Sequence, residues 1–218
     1  MQPIYKFAFY SCDKLRNITI PESVISIGDN AFTLCSSMNI DVYLPNVENI
    51  YDGAFSFSGI KSFKADNCLS IGNGCFEQCM NLKTVKLDLV ENIYSGAFLN
   101  CNALESVDIS TGVMDDINPD TFSGCYNLTT VLLPFKLEKI WGGAFKDCYS
   151  LRELWIPKTV DIIGDSAFER CKNLTIYSDS EYVNDFCEEH EIKCLPANVY
   201  KGRTESFNRP KRLRIKEM

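Results

Sequence analysis

The chain has 218 residues, 45% hydrophobic and 23% charged, an ordinary globular composition at a length that fits one domain or one elongated stack of repeats. It holds no apolar run of about 18 residues or more, and its opening stretch, MQPIYKFAFYSCDKLRN, has no cationic start followed by an apolar core, so neither a transmembrane helix nor a signal peptide is expected. The net charge of −7 is uneven: from Lys201 onward seven Lys/Arg face Glu205 and Glu217, a tail of +5 that leaves −12 on the rest, and so acidic a body does not suit nucleic acid, which needs dense Lys/Arg.

From the N-terminus one unit recurs. Its marker is a phenylalanine, first Phe9, then Phe32, Phe55, Phe76, Phe98, Phe122, Phe145 and Phe168, spaced by 23, 23, 21, 22, 24, 23 and 23 residues. Three residues after it stands a cysteine in seven of eight copies, Cys12, Cys35, Cys79, Cys101, Cys125, Cys148 and Cys171, with Ser58 as the exception. A leucine or methionine follows in most copies, then an alternating stretch such as ITIP (18–21), VLLP (131–134) or LWIP (154–157), then an isoleucine before the next turn. The alternation points both branched residues to one side of a short strand, and proline ends it because it cannot donate to a ladder. The Ala-Phe-x-x-Cys turn returns the chain with its phenylalanine inward. One unit buries too little alone, and stacking supplies the core. The expectation is an α/β repeat solenoid with one short parallel strand per turn. At about 4.8 Å per strand, eight units would make a slab roughly 40 Å long.

The stretches ITIPESVISIGDNAFTLC (18–35) and LWIPKTVDIIGDSAFERC (154–171) carry a resemblance to the BspA-type leucine-rich repeat family, and the likeness runs from about Ile4 to Cys194. It implies a leucine-rich repeat horseshoe or slab over residues 1–196, of about eight units with the first truncated. It further implies a C-terminal cap at 174–196, made of a strand, a helix near Ser180 to His190 and a last strand. Residues 197–218 are then a basic tail, expected to be disordered. The third unit departs from the pattern by lacking the cysteine and the proline, and Asp88 and Ser110 replace proline in the fourth and fifth.

The cysteine file is read as buried thiols bonding turn backbone, since a metal needs converging ligands rather than single ones in a row. Whether Cys187 and Cys194 pair stays open. His190, the single histidine, is read as a surface residue of the capping helix. Gly28, Gly72 and Gly164 recur at one position and are expected to be turn glycines of positive φ. IGNGCFE (71–77) lacks the lysine of a phosphate loop. Catalytic residues, cofactors and metals are not expected.

Candidate binding residues lie on outward rows. Tyr43, Lys64, Lys86, Asp108, Leu132 and Trp155 form one, flanked by Asp41, Ser62, Thr84, Ser106, Thr130 and Glu153. Leu132 and Trp155 are adjacent apolar residues and make the sharper candidate. A third row follows the recurring isoleucine, where Tyr51, Tyr94 and Trp141 are expected to form an aromatic patch on a different face. The leading expectation is a non-catalytic protein-binding or adhesion module using the outward strand face. The alternative is a peripheral scaffold whose tail, 201–218, binds anionic membrane or nucleic acid. IYKFAF (4–9) matches IYDGAF (50–55), so the chain starts midway through a unit; self-association through that uncapped end, or further repeats upstream, is expected. The resemblance implies a cell-surface or secreted protein if the chain is a fragment; a natural start at Met1 would favour the cytoplasm.

Overall fold

Each turn of the chain places a short extended segment against the same segment of the next, and the result, in a computed structural model that describes residues 2–202, is a parallel β-solenoid. Most of the predicted basic tail lies outside the described residues. A valine ladder runs through Asp41–Tyr43, Ser62–Ala65, Thr84–Leu87, Ser106–Asp108 and Thr130–Leu132, and resumes as Glu153–Trp155, Thr175–Tyr177 and Lys193–Leu195. Its inward residues Val42, Phe63, Val85, Val107, Val131 and Leu154 are buried, as the alternation requires.

The structure adds a second strand to most turns. An isoleucine ladder starts at Gln2–Ile4 and Val24–Ile27, continues through Asn49–Ile50, Ser70–Ile71 and Asn92–Ile93, and resumes at Asp116–Ile117, Lys139–Ile140 and Ile162–Ile163. These segments are mostly two residues long, too short for alternation to show in the sequence. The predicted first strand, Ile18–Pro21, stays outside the valine ladder; the next turn is tied to the residues on either side of it, by Asn39 N to Arg16 O at 3.3 Å and by Asn46 Nδ2 to Glu22 O at 2.9 Å.

The third side of each turn is the Ala-Phe segment. Its alternate amides point at the next turn: Phe32 N reaches Ala54 O at 2.7 Å, Phe76 N reaches Ala97 O at 2.7 Å and Phe122 N reaches Ala144 O at 2.8 Å. This needs left-handed backbone on either side of the phenylalanine, found at Gly53, Gly96 and Gly143 two residues before it and at Leu34, Asn100 and Asp147 two residues after. Gly28, Gly72 and Gly164 do not have positive φ. They are small for a steric reason: a Cβ on Gly72 would lie 2.5 Å from the Tyr51 carbonyl carbon, and one on Gly164 would lie 2.5 Å from Gly142 N.

Inside, the phenylalanines stack from Phe9 to Phe168 with ring centroids 5.0–5.5 Å apart and planes within 20°. Beside them each ladder thiol from Cys35 onward donates to the phenylalanine carbonyl one turn back, as Cys79 does to Phe55 O at 3.0 Å, Cys101 to Phe76 O at 2.9 Å and Cys171 to Phe145 O at 3.0 Å. The cap closes the stack. Helix Glu181–Glu189 starts at Ser180, whose hydroxyl accepts from Val183 N, and it turns Phe186 edge-on to Phe168 at 6.3 Å. At the other end Ile4, Phe9, Leu15, Ile18 and Ile20 are only partly buried.

Candidate functional site

The valine ladder aligns the predicted row. Tyr43 pairs in register with Lys64, Lys64 with Lys86, Lys86 with Asp108 and Asp108 with Leu132, while Trp155 faces Tyr177 on the next stretch. Most of the row's charges are engaged within the sheet. The Tyr43 hydroxyl donates to Asp66 at 2.6 Å, and that hydrogen bond to a carboxylate holds the phenol above its ordinary pKa. Lys64 lies 3.2 Å from Asp66 and 4.5 Å above the Tyr43 ring. Lys86 bridges Asp108 at 3.1 Å and Asp88 at 3.7 Å, and its hydrogen bond to Asp108 raises its pKa. Burial pushes Asp108 upward, but bonds from Ser110 and Lys86 outweigh this and keep it below its usual range. Exposed pairs of this kind contribute about 0–1 kcal/mol each.

The row changes character at its C-terminal end. Leu132 and Trp155 are half-buried, and Trp155 meets Phe135 edge-on with centroids 5.4 Å apart. Trp155 and Phe135, together with Ile156, Pro157, Lys158, Thr159, Asp179 and Ala197, line a hollow of about 230 Å³, with Leu132 one turn back on the row outside its lining. Behind it Tyr177 donates to Glu153 at 2.9 Å and packs on Tyr200 at 4.9 Å. Sequence reasoning missed Phe135. Its signal is an aromatic directly after Pro134, where other units carry Glu22, Asn46 or Lys158.

Tyr51, Tyr94 and Trp141 stand on the outer side of the isoleucine ladder. They do not form one patch, because Gly72 and Asn118 occupy the intervening turns. At two strand spacings, neighbouring aromatics sit about 10 Å apart along the ladder. All three are exposed, and the Trp141 indole is tethered by Nε1 donating to Asp116 at 3.1 Å.

The shortened third unit leaves a notch of about 250 Å³ lined by Leu34, Ser36, Phe57, Ser58, Gly59, Gln78, Met80 and Asn81. The spacing of 21 residues and the lost cysteine mark it in the sequence. Gly59 is obligatory there, since a Cβ would run into the carbonyl oxygens of Met38 and Ser36. In the cap, His190 is half-buried rather than on the open surface: it stacks on Phe186 at 4.0 Å, with Nδ1 3.0 Å from the Phe186 carbonyl. Cys187 is buried and free; its thiol is pushed up to about 12 by desolvation, with Cys194 alongside adding to the shift. Among the described residues no group of three or more metal-ligating side chains converges, and no helix is long and apolar enough to cross a membrane.

The family described as the BspA type leucine rich repeat region matches the chain in 6 copies, over residues 2–115 and 60–175. Among solved structures, a leucine-rich repeat protein from Eubacterium ventriosum is similar with a TM-score of 0.59 and 28% identity, over 69% of this chain and 41% of that one. A leucine-rich repeat protein from Bacteroides ovatus gives 0.57 and 22%, over 87% and 62%. The T. pallidum leucine rich repeat protein gives 0.54 and 22%, over 72% and 86%. The chain therefore spans less than two thirds of the length of the first two. No curated protein matches it.

Proposed function

This chain belongs to the BspA-type leucine-rich repeat family, and from that premise we propose that it is a non-catalytic module that binds a protein partner, in recognition or adhesion, through the outer face of its valine ladder. The carrying observation is the change along one aligned row, from polar side chains already paired at Tyr43, Lys64, Lys86 and Asp108 to an apolar end at Leu132, Trp155 and Phe135 beside a hollow of about 230 Å³. Large aromatic anchors next to a pocket are what dominate binding energy at protein interfaces, while exposed and already paired charges add little. The paired stretch would set register, and the aromatic end would supply affinity.

The test is selection of binding peptides from a random library against the full chain, followed by affinity measurement on the double variant Trp155→Ala with Leu132→Ser. Affinity is expected to fall about tenfold or more, with melting unchanged and with Tyr43→Ala costing far less. Selected peptides that bind the double variant as tightly as the parent chain would sink the proposal.

A further inference from the structure

The outer side of the isoleucine ladder has a period of its own. Its row reads Tyr5, Gly28, Tyr51, Gly72, Tyr94, Asn118, Trp141, Gly164, a ring on every second turn and a small residue between. The rings are exposed, Tyr5 by 74%, Tyr51 by 50%, Tyr94 by 45% and Trp141 by 36%. Three residues before each of the last three stands a glutamate, Glu48, Glu91 and Glu138, and the turns between and after add Asp115 and Asp161 at the same position. All five carboxylates are exposed, and among the described residues none of them is in an ion pair. Lys139, the cation of these strands, is already turned to Asp116 at 3.6 Å. The valine ladder is different, for there Lys64 and Lys86 are paired with Asp66, Asp88 and Asp108.

We infer that this face docks an extended peptide segment carrying arginine or lysine at every third position in a polyproline II conformation. Charge complementarity selects a polycation: exposed rings at the end of each strand offer faces on which a guanidinium stacks, and the file of unpaired carboxylates at the start of the strands gives the face a negative field that draws cations to it. Period selects the conformation. A polyproline II strand has three residues per turn at about 3.1 Å each, so every third side chain returns to one side after about 9 Å. That is close to the two-turn spacing of about 10 Å between the rings. The glycines at Gly28, Gly72 and Gly164 put no ring on the intervening turns, and the tether from Trp141 Nε1 to Asp116 fixes one ring without ligand. The face lies apart from the Leu132–Trp155 end of the other ladder, so this inference stands independently of the function proposed above.

The experiment is titration of the full chain with a synthetic peptide of four Arg-Pro-Pro repeats. It is compared with a peptide of the same composition with its arginines clustered, and with a neutral β-1,4-linked N-acetylglucosamine oligomer. The regular peptide is expected to bind more tightly than the clustered one and to weaken as salt is raised. Tyr94→Ser and Glu91→Gln are each expected to lower its affinity about tenfold. Both positions are exposed, so melting is expected to stay unchanged. Equal affinity for regular and clustered peptides would reduce the face to unspecific charge attraction and overturn the inference. So would insensitivity to Tyr94→Ser and Glu91→Gln, or binding of the neutral sugar in place of the peptide.

Discussion

Replacing Phe98 by alanine tests the nearest-neighbour character of the stack. Phe98 is fully buried, with Phe76 at 5.1 Å and 1° on one side and Phe122 at 5.4 Å and 8° on the other. Truncating a buried phenylalanine costs about 3–5 kcal/mol, and the loss of two ring contacts of about 0.5–1.5 kcal/mol each places this site in the upper half of that range. Phe9, partly buried and stacked on Phe32 alone, should lose about half as much. A solenoid also couples its turns only through neighbours, so a gap in the middle weakens the link between the halves. Both tryptophans, Trp141 and Trp155, lie C-terminal to Phe98, so fluorescence reports one half and far-UV circular dichroism reports the whole. In urea the two signals should coincide for the parent chain and separate for Phe98→Ala. Coincident transitions in the variant, or equal losses from Phe98→Ala and Phe9→Ala, would refute the reasoning.

Gly59→Ala should destabilise by about 1–3 kcal/mol or more, since the new methyl meets two backbone carbonyls that cannot move without parting turns; a urea midpoint equal to the parent's would show that the notch is soft. The thiols predict an alkaline limb. Desolvation raises Cys35 to about 11 and Cys68 to about 12 from an ordinary 9.0, so their contribution is complete below the unfolded value and is lost as pH climbs toward and through those folded values. Urea midpoints under reducing conditions should therefore be level near neutrality and fall above pH about 9, with a shallower fall in Cys68→Ala; parallel limbs in the two proteins would contradict this.

The repeat and its core were legible because each buried position recurs. Ile50, Phe55, Cys79 and Leu82 are all at 0–1% exposure, and a residue type that must fill the same space on every turn leaves a periodic trace. The cap was legible for the same physical reason as any helix start, a serine before an amphipathic run. The isoleucine ladder was not, since two residues cannot show a period. Nor was the ion pair that crosses turns on the valine face: Lys86 meets Asp108 of the next turn by register, and register is invisible until the turns are stacked. Gly28 and Gly72 were assigned to the wrong cause for a related reason, because a close approach from the neighbouring turn, and not the local backbone, removes their side chains. The Tyr43-to-Trp155 row was foreseen as a line of positions, but its division into a neutralised stretch and an aromatic end depends on partners such as Asp66 and Phe135 that lie outside it.

The aromatic row gives the number of turns a parity. The phenylalanine stack and the thiol file are indifferent to how many units are present, so a single unit could be gained or lost without disturbing either. On the outer isoleucine face the same event would bring Tyr51 against Tyr94, or Gly72 against Asn118. A lineage that must keep that face can lengthen or shorten this protein only by even steps, with the core counting in ones and the surface in twos.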